Sequence, residues 1–417
     1  MKIPVKISIF AAAIALCAAF GPQTNGQRVK KLTVDQAQKF VLDARSSTEF
    51  SIELKADELC NISTDAAEDI PFNFSLIDPA DKPMVKEGNP SEGWIFIAET
   101  PGTYRLVFFA PKVTQDDADL SAKVNGKVIT VKYSNKLNIP KNAVSKGVRN
   151  INGYQAKILD EPGDEGKTYF IIQKAGKTKA VMRDAKEITG GFYFSDDPNQ
   201  DEGGNAKQSA TLMRTTPDKT GDGTPDIAVE YYSGGAHCCF EITFFELGDR
   251  VRQLPTIDTA NDRMTATGKK PGGGLRFEFA EQAFAYWTIN FAQSPMPTVI
   301  YEFDKSDELI PRFDLMKKPA PSLAMLKRKA TAAKAKIKLN EYTSPDDNFN
   351  DFEEPFWDYM LDLIYGGHED LAWQYFDLVW PAKKKGKEKF LADFKEQLAL
   401  STYGEWKKMP KKDESVR

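Results

Sequence analysis

The run DKTGDGTPDIAVEYYSGGAHCCFEITFFEL at residues 218–247 decides how this chain is read. Its first nine residues place oxygen-bearing side chains at the first, third, fifth and ninth positions: Asp218, Thr220, Asp222 and Asp226. Calcium takes about six to eight hard oxygen ligands in a flexible shell, so this is the residue chemistry it requires. The carbonyl of Thr224 adds a further donor, and Gly223 stands sixth, where such a loop turns most sharply. A helix-loop-helix site would need a glutamate at the twelfth position and an exiting helix. Val229 stands there instead, and IAVEYY has the β-branched and aromatic make-up of a strand. The spacing therefore predicts a calcium loop feeding a strand, with Asp218, Thr220, Asp222, Thr224 and Asp226 as ligands. The bland alternative is a solvated Asp-Gly turn.

The loop with its following strand resembles the DxDxDGxxD loops of FG-GAP and VCBS repeats, which carry calcium on propeller blades. By that resemblance Asp218, Asp222 and Asp226 match the carboxylate ligands and Gly223 the turn glycine. Thr220 stands where those repeats carry aspartate or asparagine, which removes one negative charge and implies a weaker site. A second acidic stretch, Asp197, Asn199, Asp201 and Asn205, has partly similar spacing, but Gly203 and Gly204 fall one position late. Clear further copies are missing, so the expectation is one degenerate repeat in a small β domain rather than a full propeller.

Directly after the strand comes Ser233-Gly234-Gly235-Ala236-His237-Cys238-Cys239, holding one of the chain's two histidines. On a strand His237 and Cys239 share a face, yet a transition-metal site would need more ligands, from Cys60, His368 or carboxylates. A His-Cys nucleophilic pair needs a third group to orient the base, and Ser233 lacks the Gly-x-Ser-x-Gly elbow because Tyr231 fills its first position. A packed, hydrogen-bonded histidine is the expectation. SGGAHCC, together with AFAYWTINFAQSPMPTVIYEF at residues 283–303, resembles a group of secreted bacterial proteins of unknown function, which implies membership and no activity.

Outward from this centre, Lys2 and Lys6 precede an apolar core from Ile7 to Phe20, the pattern of a secretory signal over residues 1–26. An acylated Cys17 is the alternative, with the bulky Leu16 against it. No later apolar run is long enough to span a membrane. The expected location is secreted or periplasmic, with no transmembrane segment. Beyond the leader, Cys60, Cys238 and Cys239 permit one disulfide at most. A vicinal Cys238–Cys239 bridge needs a distorted turn, a Cys60 bridge needs the first two domains to touch, and buried thiols are the third option. A formal net charge of -4 with 28% charged residues excludes a dedicated nucleic-acid binder.

Alternating apolar residues at Phe50, Ile52 and Leu54, at Phe72, Phe74 and Leu76, at Trp94, Phe96 and Ala98, and at Tyr104, Leu106 and Phe108 predict an antiparallel β-sandwich over 28–133. Its segments FNFSLIDPADKPM and WIFIAETPGTYRLVFFAP resemble the pre-peptidase C-terminal type of sandwich, which implies an accessory or binding role. A polar linker is expected over 134–152 and a β domain with the calcium loop over 153–310. From Pro311 the period changes. Leu323, Leu326, Ala330, Ala333 and Ile337 behind Ser322 predict a helix. Further helices are expected after an Asn350/Glu353 cap pair, from His368 or Glu369 to Trp380 burying Leu371, Tyr375 and Leu378, and along Phe390, Phe394 and Leu398. Tyr365-Gly366-Gly367-His368 reads as the turn between two of them. Lys383, Lys384, Lys385, Lys387 and Lys389 read as solvated surface, and Trp357, Trp373, Trp380 and Trp406 as core.

The expected fold class is thus multidomain and mainly β, with an N-terminal β-sandwich, a middle β domain carrying a calcium-type loop and a C-terminal α-helical domain over 311–417. The expected role is a non-catalytic, calcium-stabilised protein that binds a protein or glycan at the cell envelope. The alternatives are a carboxylate-based, glycan-directed envelope hydrolase, which would need two carboxylates from different segments to converge, and a structural spacer.

Overall fold

The computed structural model describes residues 29–43, 47–65, 70, 72–88, 94–110, 124–137, 139–163, 166–185, 190–197, 206–235, 238–349 and 351–409. The expected signal segment, His237, Asn350 and most of the second acidic stretch lie outside them.

Nine strands build the first unit: β1 (Lys30–Lys31), β2 (Gln38–Leu42), β3 (Ser47–Leu54), β4 (Leu59–Asp65), β5 (Asn73–Ile77), β6 (Pro83–Gly88), β7 (Trp94–Ile97), β8 (Gly102–Phe109) and β9 (Lys127–Ser134). They form two sheets, ordered β1-β3-β8-β5-β6 and β2-β9-β4-β7. Period-two alternation explains the pairing, because Phe50 faces Leu106 and Ile52 faces Tyr104 across β3 and β8, and all four are buried. Phe40 crosses from the second sheet to sit 4.9 Å from Phe108 and 5.5 Å from Phe50, ring centre to ring centre. The sandwich is as the alternation predicts, although Trp94 stays partly exposed.

Three antiparallel meanders follow. The first joins β10 (Val144–Ile151), β11 (Tyr154–Asp160), β12 (Lys167–Lys174) and β13 (Lys177–Ala185). The second joins β14 (Gly191–Phe194), β15 (Asp226–Gly235), β16 (Cys238–Leu247) and β17 (Val251–Gln253), with β18 (Ile257–Ala260) also on β16 and α1 (Ala206–Thr215) between β14 and β15. The third joins β19 (Thr265–Lys269), β20 (Leu275–Ala280), β21 (Thr298–Phe303) and β22 (Leu309–Pro311). The middle sheet is buried on both faces. Ile227, Val229, Phe245 and Leu247 pack with Ile158, Phe170 and Ile172 of the first meander. Ala228, Ile242 and Phe244 pack with Phe277 and Phe303 of the third. Three antiparallel sheets, of four, five and four strands, are thus stacked in this part of the chain.

The helices are α2 (Leu323–Lys334), α3 (Trp357–Tyr365), α4 (Glu369–Val379), α5 (Lys387–Ala399) and α6 (Thr402–Lys408). Ser322 caps α2 by accepting from the Met325 N–H, as its sequence suggests. Phe390, Phe394 and Leu398 are the buried stripe of α5, also as expected.

Several expectations need correction. The later part of the 134–152 linker is β10, an edge strand whose mainly exposed side chains and bulge between Ser145 and Gly147 erase any period. Helix α3 begins at Trp357, later than an Asn350/Glu353 cap would place it, because Phe352 instead bridges to Ile337. Helix α4 buries Ala372, Tyr375, Phe376 and Val379, a stripe turned one position from Leu371 and Leu378. The lysine run is not uniformly solvated: Lys384 is buried, its Nζ donating to the Asn340 carbonyl at 2.6 Å, while Lys387 and Lys389 pair with Asp377 and Asp393. Position 311 is no core boundary either, since one apolar cluster runs from Met213 through Phe244 and Phe303 to Phe390 and Tyr403.

Candidate metal centre

The 218–226 loop closes on itself through its own carboxylates. Asp218 Oδ1 accepts the Gly221 N–H at 2.5 Å and its Oδ2 accepts the Gly223 N–H at 2.9 Å, while Asp222 Oδ1 accepts the Thr224 N–H at 2.7 Å. Gly221 and Gly223 hold φ of 90° and 95°, which glycine adopts without strain. Thr220 Oγ1 lies 3.5 Å from both Asp218 Oδ1 and Asp222 Oδ1. Two oxygens held by one ion at about 2.4 Å and at right angles would be about 3.4 Å apart. The first three positions thus present oxygens at ligand spacing.

Asp226 opens β15 at the bottom of the loop and is 0% exposed. Its Oδ2 accepts the N–H groups of Lys219 at 2.7 Å and Thr220 at 2.9 Å, whereas its Oδ1 is buried with no hydrogen-bond partner. Other buried acids on the same sheet region have arginines: Glu230 has Arg263, Glu246 has Arg252, and Glu302 has Arg276 and Arg312. Asp226 has none among the described residues. Burial pushes its carboxyl up to about 6, against the pull of the two backbone donors and of the Lys219 ammonium. Lys219, the buried ammonium beside it, bonds to carbonyls and not to that oxygen, so an orphan carboxylate oxygen in such a loop fits a cation. An all-oxygen donor set fits calcium better than a softer metal.

Two lysines tie the loop to its neighbours by bonds to carbonyls, and their charges also attract the carboxylates of Asp218 and Asp226. Lys219, itself buried, donates its Nζ to the carbonyls of Asp226 at 2.6 Å, Thr216 at 3.2 Å and Pro217 at 3.4 Å. Lys270 donates to the carbonyls of Thr220 at 2.5 Å and Phe303 at 2.8 Å. The Lys219 carbonyl in turn accepts the Leu275 N–H. Burial lowers both ammonium groups from their usual range. The loop is therefore fastened to the β19–β20 hairpin and to the end of β21.

The loop's own three carboxylates do not come to a single point. The acidic oxygens that lie within 4.8 Å of one another are those of Asp222, Glu246 and Asp307. Glu246 stands directly opposite Asp226 in the β15–β16 ladder and accepts from Arg252 Nε at 2.6 Å and from its Nη2; Arg252 Nη2 also reaches Asp307 at 2.6 Å. Burial, then Asp222 and Asp307, raise the Glu246 carboxyl, while Arg252 opposes the rise. Neither Glu246 nor Asp307 stood out in the sequence. The hairpin register would not have found Glu246, since a tip at 235–238 sets residue 247 opposite 226 and the shift between Tyr232 and Gly235 moves the partner to 246.

At the far end of β15–β16, Cys239 is disulfide-bonded and Cys60 is a free, buried thiol, so the bridge does not use Cys60. This holds although the sandwich and first meander do touch, through Leu59 and Ile95 against Tyr169, Ile171 and Val181. The Cys239 N–H donates to Ser233 Oγ at 2.8 Å, and the rings of Tyr232 and Phe240 stack at 4.4 Å. Nine residue steps along β15 put this tip roughly 30 Å from the loop. The loop therefore does not hold this tip by direct contact. His368 receives the simplest account: its Nε2 is 2.6 Å from the Lys318 carbonyl in the turn before α4.

No family model and no curated protein matches the chain, so the FG-GAP and VCBS resemblance has no family match behind it. Solved structures do match in part. The pre-peptidase C-terminal domain of a Bacillus anthracis collagenase is 10% identical, with a TM-score of 0.21, over 26% of this chain and 96% of that one. The periplasmic g-type lysozyme inhibitor PliG of Aeromonas hydrophila is 12% identical, with a TM-score of 0.19, over 26% of this chain and all of its own. Bacillus licheniformis lipase BlEst2 in propeptide form is 11% identical, with a TM-score of 0.15, over 67% of this chain and 44% of that one. The pre-peptidase C-terminal domain is thus a structural neighbour of low identity over about a quarter of the chain, and at these scores the likenesses carry no functional argument. No described helix is long and apolar enough to cross a membrane.

Proposed function

We propose that this chain is a calcium-stabilised, non-catalytic binding protein that works outside the cytoplasm at the cell envelope. The observation that carries the calcium part is the orphan Oδ1 of the fully buried Asp226. Asp218, Thr220, Asp222 and Asp226 would hold the ion by side-chain oxygens and Thr224 by its carbonyl. The ion would give the orphan Oδ1 the partner that Lys219 does not provide and so fix the loop against the β19–β20 hairpin. The disulfide at Cys239 favours an oxidising compartment.

The binding surface we assign to the β15–β16 tip, where the Tyr232–Phe240 stack and the disulfide stiffen an otherwise glycine-rich turn. Its partner would be a protein or glycan of the envelope. A carboxylate hydrolase would draw on the Asp222, Glu246 and Asp307 convergence, where burial raises Glu246 to about 7 but Arg252 donates to both of its oxygens and holds it as an ion-pair partner. The test is capture from envelope extract by full-length protein and by a Tyr232→Ser/Phe240→Ser variant, each with calcium or with chelator. Specific capture that the double variant loses supports the reading. Equal capture by both proteins, or turnover of envelope glycan that Glu246→Gln abolishes, overturns it.

A further inference from the structure

The segment LMKKPAPSLAMLKRKATAAKAKIKLN at residues 315–340 carries seven lysines and one arginine and no aspartate or glutamate, in a chain whose formal net charge is -4. A charge run by itself is a solvated surface. The independent observation is apolar. Leu315, Leu323, Met325 and Leu339 are 38%, 57%, 41% and 57% exposed, and all four stand in this same segment. Helix α2, at its centre, buries only Leu326 and Ala330 and leaves Leu323 and Met325 in its first turn to solvent.

The cations along the helix are open to a partner. Lys327 and Arg328 are exposed and pair with no described carboxylate, whereas Lys318 and Lys336 are held by Asp362 and Glu354. Folding also brings a second basic turn to the end of the segment. Lys384 Nζ donates to the Asn340 carbonyl at 2.6 Å and the Tyr342 N–H donates to the Lys385 carbonyl at 3.2 Å, which sets the exposed Lys383 and Lys385 beside Leu339.

Charge and apolar character together select the partner. Basic side chains with leucine and methionine exposed among them are the make-up of a helix that lies in the headgroup layer of a bilayer, and each cation near an anionic surface adds to the attraction. A single-stranded polynucleotide would use the cations and stack its bases on aromatic rings, but the segment has no aromatic residue. A soluble anionic glycan would leave the leucines in water.

We propose that the 315–340 segment docks this protein on the surface of an anionic phospholipid bilayer, with Leu323 and Met325 entering the headgroup layer and Lys327 and Arg328 meeting lipid phosphates. The contact is peripheral, since no described helix is long and apolar enough to cross a membrane. It rests on neither the calcium loop nor the β15–β16 tip.

The test is co-sedimentation of full-length protein, in chelator, with vesicles of phosphatidylglycerol and phosphatidylcholine in equal parts and with vesicles of phosphatidylcholine alone. Wild type should bind the first and not the second, and salt should weaken the binding. Lys327→Gln/Arg328→Gln should weaken it about tenfold or more. Leu323→Ser/Met325→Ser leaves every charge in place and should still weaken it several-fold. Circular dichroism checks that each variant folds; should the Leu323→Ser/Met325→Ser pair fail, Met325→Ser alone decides. Tyr232→Ser/Phe240→Ser should bind the vesicles as wild type does, so capture by the tip and docking by this segment fail or hold separately. Absence of wild-type binding to the anionic vesicles overturns the inference. Binding that Leu323→Ser/Met325→Ser leaves unchanged, or tighter binding to heparin or DNA than to the vesicles, overturns it too, because either marks a surface held by charge alone.

Discussion

Asp226 is the residue on which the site depends, and its protonation gives the first prediction. A carboxyl raised by burial from 3.8 to about 6 means that the ion-free folded chain holds a proton that the unfolded chain has lost between those values. Stability from this group is therefore full below about pH 4 and falls as pH rises through 6. Asp226→Asn removes the buried charge and keeps an oxygen for the Lys219 and Thr220 amides. In chelator at pH 7 it should stabilise the fold by about 2–3 kcal/mol, read as a higher melting temperature; a lower one would contradict the account. Protons also compete with calcium there, so affinity should drop as pH falls below about 6. Cys60 offers a second check. Burial raises its thiol well above the usual range, and the native protein should resist alkylation that denatured protein accepts at once. The spacing of Asp218, Thr220, Asp222 and Asp226 was legible in the sequence. Lys219, Lys270, Glu246 and Asp307 were not, because their roles arise only when distant strands meet.

At the scale of elements, two glycines in one loop should behave differently. A Cβ on Gly221 would meet the Gly273 carbonyl at 2.6 Å and the Lys270 side chain at 2.5 Å, while one on Gly223 meets nothing within 4 Å. Gly223→Ala should cost only the left-handed backbone penalty of about 1 kcal/mol. Gly221→Ala adds a clash and should cost about 2 kcal/mol more while loosening the β19–β20 hairpin, which hydrogen exchange at the Leu275 amide would report. Equal costs would mean that the loop is not seated as described. Elements with one clean buried stripe, such as β3, β8 and α5, could be read from the sequence. Those whose face was set by neighbours could not. Strand β10 shows few buried side chains, and the α4 stripe turns to meet Phe356 and Phe390 rather than following Leu371 and Leu378. Helix α1 was missed altogether beside an acidic stretch read as a loop.

For the whole molecule, the sandwich has its own apolar cluster, whereas the second and third meanders share theirs with the helices. A sequence shows where a period changes and not whether a core continues across the change, which is why position 311 looked like a boundary. Deleting residues 312–417 would expose Phe277, Phe303 and Trp287. The truncated protein should lose its near-ultraviolet dichroism or aggregate, and a soluble, natively packed 1–311 fragment would contradict a shared core. On heating, calcium should raise the transition of the meander and helix unit and leave that of the sandwich in place.

The most direct test of the central claim is calorimetric titration of calcium into chelator-stripped wild-type protein at pH 7, beside Asp226→Asn. The account predicts saturable binding to wild type that the variant loses while still folded. Absence of binding to wild type, or undiminished binding to Asp226→Asn, would contradict it.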